Sequence, residues 1–153
     1  MDQSPNCLNP KQEVLGFNLL CLLYLVCGAI MFHYLKYAQN PDGISYLAIA
    51  RSYASGNWND AVNAYWSPLL SWIIAPFSGL PFELLFVFKI INLFFGLLIL
   101  VIAKNIFKHY GLLPRWTLLL LSFLALLLLR FVFDVNTPDL LSSALLLGFF
   151  HYW

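Results

Sequence analysis

The feature that most constrains this chain is a long apolar run near its N-terminus, from Val14 to Leu35. At a rise of about 1.5 Å per residue, a helix of about 22 residues crosses a hydrocarbon core of about 30 Å. A cleaved secretory signal would need a basic start and an apolar core of about 7–15 residues. The leader Met1–Glu13 holds a single basic residue, Lys11. The run therefore predicts an uncleaved membrane anchor.

The composition supports a membrane protein. Of the 153 residues, 61% are hydrophobic and only 10% are charged, whereas soluble domains carry about 25% charged residues. The chain lacks the charge to cover a surface exposed to water. Its net charge of +1 also argues against nucleic acid as a partner, because nucleic acid binding needs a clear basic excess.

Three more apolar runs follow, at about 81–107, 116–133 and 140–153. The last holds about 14 residues, or roughly 21 Å of helix, which is short of a full crossing. The pattern predicts an all-α fold with about four transmembrane helices in a single domain, 1–153. The short last run favours the N-terminal part of a longer protein. The alternative is an unusually short final helix that ends at an aromatic belt, Tyr152-Trp153.

The first loop, residues 36–80, is long and polar. After the turn Asn40–Gly43, apolar residues recur at helical spacing, which predicts a short amphipathic helix over Gly43–Ser55 that ends near Gly56. The apolar segment Pro68–Pro76 is too short to span and is typical of an interfacial or re-entrant segment.

Basic residues predict the orientation of the chain. The link Lys104–Trp116 holds three Lys and Arg residues, and short basic loops stay in the cytoplasm. This assignment places the N-terminus in the cytoplasm and the loop 36–80 outside. By parity, the turn Asp134–Asp139 lies on the same side of the membrane as that loop, whichever way the chain inserts.

Two acidic residues are candidates for chemistry at the membrane surface. Asp42 follows the first span and opens the amphipathic helix, where its carboxylate can take a proton from a hydroxyl. The alternative role of Asp42 is structural, as the residue that caps the N-terminus of this helix. Asp139 follows Thr137 and Pro138, so it also suits the start of a helix, with Thr137 as cap and Pro138 in the first position.

The basic residues of this region have two readings. Arg51, Arg130, Lys36 and Lys89 are candidates for contacting a phosphate, and each is equally suited to anchor its segment at the interface. Arg130 also lies close enough in sequence to pair with Asp134. Interface anchoring is the favoured role of the pair Tyr65-Trp66. The three histidines are far apart in sequence and indicate no metal site.

The loop sequence resembles a known family. The segments Asp42–Ala50, Tyr53–Gly56 and Ala64–Trp72 resemble the first external loop of the GT-C glycosyltransferases. They are most similar to relatives of the protein O-mannosyltransferases and of the lipid A aminoarabinose transferase. Asp42 occupies the position of the acidic residue that marks this superfamily, and Thr137–Leu141 resembles a second motif at the head of the fourth span. Family members typically have many more spans than this chain.

The resemblance implies an enzyme that transfers a sugar from a polyprenyl-phosphate carrier to a hydroxyl of a lipid, glycan or protein acceptor. The carrier would lie in the outer leaflet of a bacterial inner membrane. Asp42 would be the general base and Asp139 a second acid, and the predicted substrate contacts are Tyr46, Arg51, Trp66 and Arg130. No cofactor is predicted with certainty, although a divalent cation is possible. The alternative function is a non-catalytic membrane subunit or small transporter whose outer loop binds a partner or lipid.

Overall fold

The structure, a computed structural model, describes residues 9–153, and all regular secondary structure in this range is helical. The all-α class predicted from the sequence is therefore confirmed for these residues. The seven α-helices are α1 (Pro10–Leu35), α2 (Pro41–Ala54), α3 (Trp58–Ala61), α4 (Pro68–Ile74), α5 (Leu84–His109), α6 (Pro114–Asp134) and α7 (Asp139–Tyr152).

Three helices are long and apolar enough to cross a membrane, namely α1, α5 and α6. Their bounds differ by a few residues from the predicted spans. Helix α1 begins four residues before the predicted Val14. Helix α5 begins at Leu84 and leaves Pro81 outside the helix, because Glu83 has the extended backbone of an N-cap residue (ψ 130°). The fourth predicted span corresponds to α7, a helix of 14 residues that is shorter than the roughly 20 residues a crossing needs. The structure thus supports three spans, and the fourth stays a prediction.

The segment between α1 and α5 folds into short helices. The helix predicted over Gly43–Ser55 begins at Pro41 and ends at Ala54. Pro41 suits the first helical position because it has no backbone N–H to satisfy. Gly56, with φ +75°, follows the end of α2 in the left-handed conformation that favours glycine. The predicted interfacial segment Pro68–Pro76 forms α4 and a 3-10 turn, Ala75–Phe77.

Helix α5 lies at the centre of the bundle and packs against α1, α6 and α7. Its approach to α1 depends on Gly96, because a Cβ at that position would collide with the hydroxyl of Tyr24. That hydroxyl is buried and donates a hydrogen bond to the Leu93 carbonyl at 3.3 Å. The contact joins the two helices within the apolar core.

Helices α2 and α4 pack together on one end of this bundle. Buried residues of α2 and α4 form one apolar cluster with the starts of α5 and α7; its members include Tyr46, Leu47, Leu70, Ile74, Leu84, Phe88 and Leu141. We call this end, where residues 36–83 and 135–138 lie, the loop end. The opposite end, where residues 110–113 join α5 to α6, is called the link end.

Candidate functional site

The start of α2 is bonded to the segment that precedes α7. The Asn40 side-chain oxygen accepts hydrogen bonds from the Gly43 backbone N–H at 3.1 Å and from the Asn136 backbone N–H at 3.2 Å. The Asn136 side chain, which is fully buried, donates in turn to the Ala38 carbonyl at 3.3 Å. Two segments nearly 100 residues apart in sequence are thereby held side by side.

Gly43 permits this close approach. A Cβ at position 43 would lie 2.5 Å from the Asn136 Cβ and 3.1 Å from the Asn136 carbonyl oxygen. A separation of 2.5 Å is far inside van der Waals contact, so a larger residue would push the two segments apart. In the sequence, Gly43 indicated only a turn, and its role in this contact was missed.

Asn40, rather than Asp42, caps α2. The Asn40 side chain accepts the hydrogen bond from the helix N-terminus, and Asp42 lies in the first turn. The N-cap alternative for Asp42 is therefore wrong. Within residues 9–153, the exposed Asp42 carboxylate forms no side-chain hydrogen bond and no ion pair, so it is available to a ligand.

Tyr46 lies one turn after Asp42 and is only 5% exposed. Burial raises the pKa of its hydroxyl, and the negative charges of Asp139 and, more weakly, Asp42 raise the pKa further, against an opposing effect of the Ser67 backbone. Both carboxylates therefore act in the same direction, because a nearby negative charge disfavours the ionised form of the hydroxyl. The raised pKa keeps this hydroxyl protonated and able to donate a hydrogen bond.

Asp139 opens α7 at the same place. The Thr137 hydroxyl donates a hydrogen bond to its carboxylate, so Thr137 bonds the Asp139 side chain rather than capping the helix as predicted. Pro138 stands just before the helix, not in its first position. Asp139 also lies at one end of an apolar groove of about 260 Å³ between α6 and α7, which continues along Leu140, Ser143 and Leu147.

One aromatic contact and a buried hydroxyl hold Tyr46 in place. The ring of Trp66 meets the Tyr46 ring edge-on, with centroids 5.1 Å apart, and Trp66 in turn contacts Tyr65, with ring centroids 4.7 Å apart. The buried Ser71 hydroxyl donates to the Tyr46 carbonyl at 3.1 Å. Trp66, which is half-buried, therefore forms a wall beside the Tyr46 hydroxyl.

Lys89 is neither a snorkelling anchor nor an exposed phosphate ligand. Its side chain is fully buried, and its ammonium donates to the Leu35 carbonyl at 2.8 Å and to the Phe133 carbonyl at 3.2 Å. These carbonyls belong to the last turns of α1 and α6, where helices leave backbone acceptors unsatisfied and present the negative end of the dipole. Lys89 therefore joins the two helix ends from which the acid-bearing segments emerge.

Among residues 9–153, no ion pair or side-chain hydrogen bond joins either arginine predicted to contact substrate to this group. Arg130 forms an ion pair with Asp134 at 3.2 Å on the exposed surface of α6. Arg51 follows Asp42 by nine residues on α2, which places it about half a turn around the helix and about 13 Å further along. The structure thus brings together Asp42, Tyr46, Trp66 and Asp139, which we call the acid–tyrosine site.

Within the part of the chain that the structure describes, no group of three or more His, Cys, Asp and Glu residues is arranged to hold a metal ion. Comparison of the chain with models of protein families, with curated proteins and with solved structures found no significant match.

Proposed function

We propose that this chain takes part in the transfer of a sugar from a polyprenyl-phosphate carrier to an acceptor hydroxyl at the extracytoplasmic membrane surface, as the GT-C resemblance implies. The observation that carries the proposal is the hydrogen bond from the Asn136 backbone to the Asn40 side chain, which holds the segment before Asp139 beside the start of α2, where Asp42 lies one turn before Tyr46. Two carboxylates beside a neutral hydroxyl donor provide a base for a nucleophile and acceptors for sugar hydroxyls.

In the proposed reaction, the acceptor hydroxyl oxygen attacks the anomeric carbon while the Asp42 carboxylate takes the hydroxyl proton. The bond between the anomeric carbon and the phosphate oxygen breaks, and the polyprenyl phosphate leaves with the electron pair. A single displacement of this kind inverts the anomeric configuration. The exposed, unpaired state of the Asp42 carboxylate among the described residues supports its role as base.

The remaining residues of the acid–tyrosine site fit the binding of donor and acceptor. The Asp139 carboxylate accepts hydrogen bonds from sugar hydroxyls, the Tyr46 hydroxyl donates one, and Trp66 forms the wall of the pocket. The apolar groove that begins at Asp139 and continues between α6 and α7 suits a prenyl chain. A chain in this groove would bring its sugar-bearing end to the acid–tyrosine site.

The location of the site supports surface chemistry over transport. Transporters usually hold ionisable residues inside their spans near the midplane. Asp42 and Asp139 instead lie at the ends of helices, and the buried Lys89 is bonded to two backbone carbonyls. The three basic residues at the link end favour a cytoplasmic link and N-terminus, so we propose that the loop end faces outward, as expected for a bacterial inner-membrane protein.

The experiment that tests the function measures sugar transfer in membranes that contain the chain, using polyprenyl-phosphate-linked hexoses and aminoarabinose as donors. We expect Asp42→Asn to lower the rate by about 10²–10⁴-fold, the usual contribution of a general base. Asp60→Asn is the matched control, because Asp60 is an exposed acid of the same segment that hydrogen-bonds only to nearby Asn57. Transfer by Asp42→Asn at the control rate would contradict the assignment, and absence of transfer from every donor by the unmodified chain would favour the non-catalytic alternative.

A further inference from the structure

A second cavity of about 400 Å³ lies at the loop end, between α2, the start of α5 and the segment after α1. Its polar walls are formed by Arg51, Glu83, Tyr37 and Gln39, and its floor includes Leu47 and Leu85. The volume lies in the range of pockets that bind small ligands.

This cavity is separate from the acid–tyrosine site. Ile44, Leu47 and Arg51 of α2 line it, and the helical rotation of about 100° per residue puts these positions on the face of α2 that is turned away from Asp42 and Tyr46. A ligand bound here would contact neither carboxylate of the acid–tyrosine site. The cavity therefore needs an explanation of its own.

The cavity presents one positive and one negative side chain that do not neutralise each other. Within residues 9–153, neither Arg51 nor Glu83 has an oppositely charged partner within 4.0 Å, the one ion pair of this range being Arg130–Asp134. Both line the same cavity, yet they are too far apart to pair. A ligand that carries a phosphate and an ammonium can bridge them, with the phosphate at the guanidinium of Arg51.

Tyr37 adds a group that attracts ammonium. The Lys36 ammonium lies 5.2 Å from the centroid of its ring, and the face of an aromatic ring attracts cations. Among the residues that line the cavity, Glu83 and Tyr37 are therefore the two that suit an ammonium.

The floor of the cavity is apolar and belongs to the core of the loop end. Leu47 and Leu85 are 4% and 6% exposed and pack in the cluster that joins α2 to α5. The cavity lies beside the end of α1 and the start of α5, which is the level where a membrane helix meets the headgroup region. Polar walls over an apolar floor at this depth match a lipid headgroup with its glycerol end.

We propose that this cavity binds the headgroup of a zwitterionic phospholipid, with its phosphate at Arg51 and its ammonium at Glu83 and Tyr37. The inference is independent of the proposed sugar transfer, because it uses other residues on another face of α2. It gives Arg51 a different ligand from the sugar-bearing phosphate that the sequence predicted.

The test measures lipid retention by native mass spectrometry of the full chain purified in detergent and incubated with phosphatidylethanolamine or phosphatidylglycerol. We expect the unmodified chain to retain more phosphatidylethanolamine than phosphatidylglycerol. Arg51→Gln and Glu83→Gln should each lower the retention of phosphatidylethanolamine by about 3–10-fold, which corresponds to a loss of about 0.7–1.4 kcal/mol in binding free energy. The controls are Arg115→Gln and Glu13→Gln, which remove a charge of the same sign at the link end and should leave retention unchanged.

The paired variants separate a zwitterion from an anion. An anionic headgroup needs only Arg51. The proposal would be overturned if the unmodified chain retained more phosphatidylglycerol than phosphatidylethanolamine and Glu83→Gln increased the retention of phosphatidylglycerol further. Equal retention of phosphatidylethanolamine by the unmodified chain and both variants would also overturn it. Glycerophosphoethanolamine, which has the same headgroup without acyl chains, should not compete at equal concentration, and full competition would contradict the assignment to a lipid. Arg51, Glu83 and Arg115 are exposed and Glu13 is half-buried, and circular dichroism should give the same helical content for every variant.

Discussion

The two ends of the bundle are held together by different interactions. At the loop end, Lys89, Asn40, Asn136 and Ser71 make hydrogen bonds between segments that are distant in sequence. At the link end, the connection of α5 to α6 is a local turn with Gly111 at φ +71°. Lys104 of α5 contacts α1 there, with its ammonium 4.2 Å from the centroid of the Phe17 ring. The difference indicates that the loop end is built to fix particular side chains, whereas the link end only joins helices.

The orientation of these two ends gives the largest expected effect, because labelling is nearly all-or-none. The cysteine that Asn57→Cys introduces at the loop end should react with a membrane-impermeant maleimide added outside cells. The cysteine that His109→Cys introduces at the link end should react only after the membrane is permeabilised. Protection at position 57 together with labelling at position 109 would reverse the proposed orientation.

Lys89→Met should loosen the loop end and leave the link end intact. Without the ammonium, the Leu35 and Phe133 carbonyls lose a charged donor, whose hydrogen bonds contribute about 1.5–3 kcal/mol each. We expect amide hydrogen exchange at Ala38 and Asn136 to accelerate by about tenfold or more. Lys104→Met is the control and should leave both amides unchanged; equal protection in Lys89→Met and the unmodified chain would refute the role of Lys89.

Gly43→Ala should separate α2 from the segment before α7. The added Cβ would lie 2.5 Å from the Asn136 Cβ, and such overpacking costs about 1–3 kcal/mol. The free energy of unfolding in bicelles measures the effect. Gly79→Ala is a matched control, because a Cβ there meets nothing within 4 Å, and an equal loss of stability in both variants would argue against the close contact at Gly43.

The helical class and the long spans could be predicted from the sequence, because the length of an apolar run determines whether it can cross a bilayer. Parity alone predicted that the Asp42 and Asp139 segments lie on the same side, but their contact through Asn40 and Asn136 was not predicted. The separation of Arg51 from Asp42 also follows from helical geometry, since nine residues of helix carry a side chain about half a turn around the axis.

The remaining features depend on contacts that no local pattern specifies. A lysine within an apolar helix suggests an anchor, and only the packing of α1 and α6 around α5 reveals the carbonyls that Lys89 bonds. Likewise, a glycine at position 43 is compatible with many kinds of turn, and only the structure shows that Asn136 lies against it. The edge-on contact of Tyr46 with Trp66 requires the fold of the whole segment between α1 and α5.

The most direct test of the account is whether the start of α2 and the segment before α7 lie side by side in the membrane. Gln39→Cys and Val135→Cys leave the Asn40 and Asn136 side chains in place. In a chain with Cys7, Cys21 and Cys27 replaced by serine, these two cysteines should be joined within one molecule by a short bismaleimide. The Gln39→Cys and His109→Cys pair, at opposite ends of the bundle, should not be joined. Efficient cross-linking of positions 39 and 135 alone is the predicted result, and its absence in a chain whose single cysteines both react with maleimide would contradict the convergence of Asp42 and Asp139 on one site.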